Sequence, residues 1–143
     1  MRMVMTFVLV WSLASCAARV PDAEAIRAAI GEMAAAAEAR RTGDVLERIA
    51  ADFTGNDGEF DRAGLERLLR ARVLAAQSAG VSIGRVEVEL DGDRAVARFE
   101  MTLTDGSGRW LPDRRFVLDV TTGWRREGRD WLCYNASWSS DAR

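Results

Sequence analysis

The sequence predicts an α+β domain in which N-terminal helices pack against one face of a bent antiparallel sheet. Apolar residues recur at helical spacing through the first half of the chain and alternate at strand spacing from about residue 85 onward. Gly-containing turns separate the strands of the second half. Helices followed by a run of strands are typical of an α+β architecture, and 143 residues suit one such domain.

The first segment is predicted to be an export signal. Arg2 precedes an uncharged run, residues 3–13, which is too short to span a bilayer as a helix. The run ends in Leu13-Ala14-Ser15-Cys16, which resembles the lipobox of bacterial lipoproteins. That resemblance implies cleavage before Cys16, which would then carry the lipid. The alternative is an ordinary secretory signal cleaved at a nearby small residue, which would leave a protein without an anchor.

The lipoprotein interpretation gives the domain plan and the location. Residues 1–15 are the removed signal, 16–21 the lipidated Cys16 with a short tether, 22–138 the folded domain and 139–143 a tail. Ala17, and not Asp, follows the lipidated position, so the periplasmic face of the outer membrane is favoured over the inner membrane. The short tether would hold the domain close to the bilayer, and several acyl chains give stable anchoring.

Three helices are predicted in order. The first begins at Pro21 and buries a stripe of residues spaced three and four apart, namely Ile26, Ala29, Ile30, Met33 and Ala37. The second follows Thr42-Gly43-Asp44 and buries Val45, Leu46, Ile49 and Phe53. After a turn cluster at residues 55–58, Asp61 caps a third helix that ends near Gly80. Its predicted buried residues are Leu65, Leu68, Leu69, Val73 and Leu74.

The first hairpin is predicted to turn at Gly92 and Asp93. This register places Glu87 opposite Arg98 and Val88 opposite Ala97, so charges of opposite sign face one another and apolar residues share the other face. A shift of one residue would place apolar residues opposite charges.

The second hairpin is predicted to turn at Glu127-Gly128, after a strand from residue 114 to 126. In that register Trp124 lies opposite Trp131, and Asp119 lies opposite Ala136 and diagonal to Tyr134. Both faces of this hairpin then carry large apolar groups: Phe116, Leu118, Val120 and Trp124 on one, and Val117, Leu132, Tyr134 and Trp138 on the other. A sheet that is apolar on both faces must be covered on both or enclose a cavity.

Composition excludes several classes of function. The net charge of −2 provides no basic footprint for nucleic acid. The chain has no His, which removes the usual general base and the commonest metal ligand. Once Cys16 is lipidated only Cys133 remains, so neither an intramolecular disulfide nor a cysteine zinc site is expected. We therefore expect no metal and no cofactor.

Three phrases carry a family resemblance. They are Thr42-Gly43-Asp44-Val45-Leu46 leading into Ala51-Asp52-Phe53, then Asp57-Gly58-Glu59-Phe60-Asp61 leading into a helix, and the hairpin Trp124-Arg125-Arg126-Glu127-Gly128-Arg129-Asp130-Trp131-Leu132. Residues 22–138 resemble the nuclear transport factor 2-like (SnoaL-like, cystatin-like) superfamily. The resemblance implies a cone, in which a strongly curved sheet wraps over the first helix, with a ligand pocket at its mouth and frequent dimers through the sheet.

The candidate pocket residues are Asp119, Tyr134, Trp110 and Trp138. Asp119 interrupts an apolar strand beside a phenol and could act as a general base if desolvated; otherwise it faces solvent or pairs with an arginine. Trp110 is a candidate pocket lip. Asp52 and Asp57 flank a turn and are expected to cap backbone groups.

The favoured hypothesis is a non-catalytic anchored lipoprotein that binds an apolar small molecule or a protein partner, with a homodimer through the sheet as a further possibility. No catalytic residue is assigned under it. The alternative is a SnoaL-like acid/base enzyme, of the isomerase, cyclase or dehydratase type, with Asp119 as base and Tyr134 as proton donor. The superfamily carries unrelated functions, so fold alone does not choose between them.

Overall fold

Three helices precede most of a seven-stranded sheet in the computed structural model, which describes residues 20–75, 78–106 and 114–140. The α+β class is confirmed. The helices are α1 (Asp22–Glu38), α2 (Thr42–Glu47) and α3 (Arg62–Ala75). The strands are β1 (Ile49–Gly55), β2 (Phe60–Asp61), β3 (Ser78–Ile83), β4 (Glu87–Asp91), β5 (Arg94–Gly106), β6 (Arg114–Glu127) and β7 (Asp130–Ser140). The predicted signal segment with Cys16, and Trp110, lie outside the described residues.

The sheet has the order β2-β1-β7-β6-β5-β3, and β4 also pairs with β5. Its pairs are antiparallel except β1 with β7, which is parallel, so the sheet is mixed where the sequence predicted an antiparallel one. Helix α1 contacts β3, β4 and β7, although β5 and β6 separate these strands in the sheet. The sheet therefore curves around α1 and encloses it on one side.

Helix α1 has the predicted inward face. Ile26, Ala29 and Ile30 are buried, and Met33 packs against the same core. Ala28 and Gly31, on the opposite side, are exposed. The spacing of three and four residues thus places one stripe of α1 against the sheet.

The second predicted helix is too long. Helix α2 ends at Glu47, and Ile49–Gly55 forms strand β1. The apolar spacing of these residues, Val45, Leu46, Ile49 and Phe53, fits a helix. In the structure, however, Ile49 and Phe53 are buried side chains of strand β1, which pairs with β7 and has a register shift along that pairing. Tertiary pairing overrides local spacing in so short a segment.

The third helix begins as predicted and ends early. The Oδ1 atom of Asp61 accepts a hydrogen bond from the backbone N–H of Gly64 at 2.6 Å, which is the expected N-cap. Helix α3 ends at Ala75, before Gly80, because Ser78–Ile83 pairs with β5 as strand β3.

The first hairpin has the predicted register. Glu87 lies opposite Arg98, Val88 opposite Ala97, and Asp91 opposite Arg94, so Gly92 and Asp93 form the turn. Gly92 adopts a φ of +57°, which tight two-residue turns of this kind require.

The second hairpin has a different register from the predicted one. Glu127 lies opposite Asp130, so the turn is Gly128-Arg129, and Trp124 lies opposite Cys133 and not Trp131. A further register shift occurs between Gly123 and Trp124, which pair with Asn135 and Cys133. A bulge of this kind inserts one residue into a strand and reverses which residues face inward beyond it.

The bulge also moves Trp138 to the inner face of the sheet. Trp131 and Cys133 are buried before it, and Ala136 is buried after it. Trp138 therefore shares a face with Val120 and Trp124, whereas the sequence placed it with Tyr134. Its ring contacts Phe60 with the centroids 5.5 Å apart.

The N-terminus of α1 is fixed at the turn end of the second hairpin. The guanidinium of Arg126 pairs with Asp22 at 2.5 Å and lies over the ring of Trp131, 4.7 Å from its centroid. Trp131 Nε1 also donates to Asp22 Oδ1 at 3.4 Å. At the other end of α1, Glu38 Oε1 accepts a hydrogen bond from the N–H of Val81 in β3. The helix thus runs from the hairpin end of the domain to the β3 end.

Candidate functional site: an apolar cavity between the helices and the sheet

A cavity of about 440 Å³ lies between the helices and the concave face of the sheet. This volume is within the range of pockets that bind small molecules. The described residues that line it come from all three helices and from six strands. Those from the helices and β1–β3 are Ile30, Met33, Ala34, Ala37, Val45, Ile49, Phe53, Phe60, Leu65, Leu68, Leu69, Arg72, Gly80, Val81 and Ile83. Those from β5–β7 are Phe99, Met101, Leu103, Thr104, Asp105, Phe116, Leu118, Val120, Thr122, Trp124, Cys133, Ala136 and Trp138.

The lining is predominantly apolar because of strand alternation. On β6 the inward residues from Phe116 to Trp124 are every second one, and on β5 the same holds from Phe99 to Leu103. The sequence predicted the β6 set as one face of a strand. It did not indicate that α3 would stand far enough from that face to leave space.

The hydroxyl of Thr122 is already bonded within the protein. Thr122 Oγ1 accepts from Trp124 Nε1 at 2.8 Å and donates to the carbonyl oxygen of Ala97 at 3.3 Å. Throughout the described part of the chain, every buried side-chain nitrogen or oxygen has a hydrogen-bond partner. The deep wall of the cavity therefore offers a ligand apolar surface and no buried polar side chain in need of a partner.

Cys133 contributes a protonated thiol to the wall. Its Sγ donates to the carbonyl oxygen of Asn135 at 3.3 Å. Burial disfavours the thiolate and raises the pKa of Cys133 to about 12. A thiol in this state is a small apolar group and a poor nucleophile.

One end of the cavity opens to solvent between α3 and β6. Phe116 lines the cavity and is 37% exposed, and Arg72 on α3 is exposed as well. The guanidinium of Arg72 lies over the ring of Phe116, 5.8 Å from its centroid. We call this end the mouth; Asp105 near the end of β5 also belongs to it.

A second depression, of about 540 Å³, lies beside the cavity along β2 and the start of α3, and it shares Phe60 and Leu68 with the cavity lining. Its lining is Gly58, Glu59, Phe60, Asp61, Gly64, Arg67 and Leu68. Asp61 is already used as the cap of α3. This depression presents charged and backbone groups, and the apolar cavity is the better candidate site.

The sequence-predicted pocket residues are dispersed. Trp138 lines the cavity, and Trp110 lies outside the described residues. Asp119 is exposed and lies opposite Ser139 on β7 and Glu100 on β5, not opposite Ala136. Neither Asp119 nor Tyr134 is among the residues that line the cavity.

Asp119 and Tyr134 are also far from one another. Tyr134 is five residues before Ser139 on β7, which at the usual strand rise is roughly 16 Å. The tyrosine ring instead covers Gly123 on β6, where an added Cβ would lie 3.1 Å from it. This geometry does not assemble an acid/base pair from Asp119 and Tyr134.

Tyr134 belongs to a charged cluster on the convex face of the sheet. The guanidinium groups of Arg94 and Arg125 lie 5.4 and 5.7 Å from its ring centroid. Arg125 donates two hydrogen bonds to Asp52, at 2.6 and 2.8 Å, and a third to Glu127. These bonds hold the pKa of Asp52 below its usual value. Asp52 was expected to cap backbone groups; it forms this ion pair because β1 is a strand.

Two further properties concern the described residues alone. None of the helices there is long and apolar enough to cross a membrane. The same part of the chain contains no cluster of three or more His, Cys, Asp or Glu that could hold a metal ion.

A curved mixed sheet around a long first helix, with an apolar cavity between them, defines the nuclear transport factor 2-like, or cystatin-like, fold. The chain superposes on a nuclear transport factor 2-like protein of unknown function from Pseudomonas putida with a TM-score of 0.70 and 18% identity, over 82% of this chain and 84% of that one. It superposes on a cystatin-like protein of unknown function from Nostoc punctiforme with a TM-score of 0.70 and 14% identity, over 85% and 92%.

A third similar structure carries a suggested activity. It is a proposed dehydratase of the nuclear transport factor 2-like family from Streptomyces avermitilis, with a TM-score of 0.71 and 15% identity over 85% of this chain and 97% of that one. Similarity at this level of identity establishes the fold alone. No protein-family model and no curated protein matches the chain.

Proposed function

We propose that this protein is a lipid-anchored protein of the bacterial cell envelope that binds an apolar small molecule in its cavity without transforming it. The observation that carries the binding proposal is the cavity of about 440 Å³ with an apolar deep wall. Burial of apolar ligand surface against such a wall contributes about 25 cal/mol per Å² before the cost of association.

The chemistry of the lining favours binding over catalysis. Thr122 is engaged with Trp124 and Ala97, and Cys133 is held as a thiol. The charged members of the described lining, Arg72 and Asp105, belong to the mouth and not to the deep wall. A ligand seated against the wall would meet no activated base or nucleophile there.

The anchoring proposal rests on Leu13-Ala14-Ser15-Cys16 and on the path of α1. A lipid on Cys16 would connect to the domain through Asp22, at the turn end of the second hairpin. Helix α1 has 17 residues and spans about 25 Å toward the mouth end. The mouth would then lie on the side of the domain away from the bilayer, where the cavity exchanges ligand with the aqueous compartment.

Probe binding to a cavity-filling variant tests the binding proposal. Ala34 lines the cavity and Ala35, the next residue of α1, is exposed. We expect wild type to bind the neutral fluorophore phenylnaphthylamine, Ala34→Phe to bind it at least about tenfold more weakly, and Ala35→Phe to match wild type. Failure of wild type to bind, or equal binding by both variants, would contradict the proposal.

Metabolic labelling tests the anchor. Cells that express the full chain are grown with a radiolabelled fatty acid, and the purified protein is counted. We expect labelling of wild type and its loss in Cys16→Ala, with Cys133→Ala as the control that keeps the label. Label that persists in Cys16→Ala, or that is absent from wild type, would contradict the lipoprotein proposal.

A further inference from the structure

The ligand proposed above is further defined by the charges around the mouth of the cavity. Arg72 reaches the mouth from α3 and rests over the ring of Phe116, 5.8 Å from its centroid. Among the described residues no carboxylate lies within ion-pair distance of Arg72, in contrast to Arg70, two residues earlier on α3, which pairs with Glu66 at 2.6 Å. The guanidinium of Arg72 thus keeps its donors available for a group at the mouth.

Two carboxylates lie near the mouth, and each has a positive or hydrogen-bonding neighbour of its own. Asp105 lies directly opposite Arg114 in the register of β5 and β6, so a positive charge neighbours it across the strands. Glu38 at the end of α1 accepts the N–H of Val81. In the described part of the chain, no carboxylate forms an ion pair with Arg72, and its one observed side-chain partner is the ring of Phe116.

Phe116 connects Arg72 to the apolar interior. Its ring forms part of the cavity lining and also contacts the guanidinium of Arg72. A chain that enters along Phe116 toward Leu118 and Val120 would leave its outer end beside Arg72. Guanidinium groups bind carboxylate and phosphate in a forked geometry.

We infer that the ligand is a single-chain amphiphile with an anionic head group, whose hydrocarbon chain fills the cavity and whose carboxylate or phosphate pairs with Arg72 at the mouth. This inference rests on the proposed function, since it requires that the cavity binds an apolar chain. It goes beyond that function by naming a head group and the residue that selects it.

Competition experiments separate the head group from the chain. Decanoate, decyl phosphate and decanol are each titrated against phenylnaphthylamine bound to the full-length protein at neutral pH, at concentrations below those at which they form micelles. Without a cation at the mouth the alcohol would bind at least as tightly, because an anionic head loses more hydration than a hydroxyl. We expect one of the two anions to bind at least about fivefold more tightly than decanol in wild type.

Two arginine variants of equal charge provide the control. Arg72→Gln is expected to remove the preference for the anion and to leave the affinity for decanol unchanged, which shows that the cavity is intact. Arg70→Gln, on the same helix but paired with Glu66, is expected to keep the preference. The preferred anion identifies the head group as carboxylate or phosphate.

The outcomes distinguish the two proposals. Equal binding of decanol and both anions by wild type, or the same preference in Arg72→Gln and Arg70→Gln, overturns the anionic-ligand inference while leaving apolar binding in place. If the probe binds but neither decanol nor either anion displaces it, the inference is overturned and the proposed function stands. If the probe itself does not bind wild type, the proposed function is overturned as well.

Discussion

Trp124 Nε1 donates a hydrogen bond to Thr122 Oγ1 at 2.8 Å, and both side chains line the cavity. Thr122 in turn donates to the carbonyl oxygen of Ala97, so the polar atoms of this wall satisfy one another. The consequence is a binding surface that presents carbon to a ligand even where its residues carry polar atoms.

Loss of this hydrogen bond is expected to destabilise the fold. Thr122→Val removes the acceptor of Trp124 Nε1, which remains buried, and we expect a decrease in the free energy of unfolding of about 1–3 kcal/mol. Urea denaturation followed by tryptophan fluorescence measures it. Thr121→Val, the neighbouring position on the convex face, is the control, and a loss as large as that in Thr122→Val would show that the bond is not the cause.

A side chain at position 123 is expected to clash with the ring of Tyr134, so that glycine is needed there. An added Cβ would lie 3.1 Å from that ring, so Gly123→Ala should lower the free energy of unfolding by about 1–3 kcal/mol. Gly31→Ala, exposed within α1 and free of contacts within 4 Å, should instead raise it by about 0.5–1 kcal/mol. Replacement of Tyr134 by Ser should remove most of the penalty of Gly123→Ala; an undiminished penalty would contradict the steric account.

The pair formed by Asp52 and Arg125 is expected to contribute to acid sensitivity. Hydrogen bonds from Arg125 lower the pKa of Asp52 from its ordinary 3.8, so this contribution is complete above pH 3.8 and is lost as pH falls through the lowered value. It is small, because the Asp52 side chain is 66% exposed. Urea midpoints of Asp52→Asn measured from pH 7 to about pH 3 should decline less than those of wild type. Parallel declines would exclude a role for this pair.

Cys133 is expected to resist alkylation in the folded protein. Its pKa rises from 9.0 to about 12, which lowers the thiolate fraction near pH 8 by roughly a thousandfold. In a Cys16→Ser variant, iodoacetamide should therefore react slowly with the native protein and rapidly after denaturation in urea. An apolar ligand in the cavity should slow the native reaction further, since Cys133 lines it. Native reactivity close to the denatured rate would contradict this placement.

The parts of the fold that the sequence predicted are those governed by local pattern. Side-chain periodicity predicts the buried stripe on α1, and Asp61 is a typical N-cap residue before α3. The register of the first hairpin follows from oppositely charged residues that face one another across the two strands. These features depend on neighbours that are near in sequence, so a single chain is enough to reveal them.

The parts that the sequence missed depend on contacts between distant segments. The bulge near Gly123 moved Trp138 to the inner face, and periodicity carries no signal for an inserted residue. The apolar residues of β1 have the spacing of a helix, but this segment forms a strand because it pairs with β7. Arg72 had no distinguishing motif, because its position at the mouth arises from the approach of α3 to β6.

Methyl NMR of methionine tests directly whether an apolar ligand occupies the cavity. Met33 and Met101 line the cavity from α1 and β5, while the other three of the five methionines are Met1, Met3 and Met5. Protein labelled with ¹³C at the methionine methyl groups is titrated with decanol, and Met33→Leu and Met101→Leu assign the signals. We predict that both signals shift together and saturate at one dissociation constant. Signals of Met33 and Met101 that remain unchanged up to the solubility limit of decanol would contradict the claim that this cavity binds an apolar ligand.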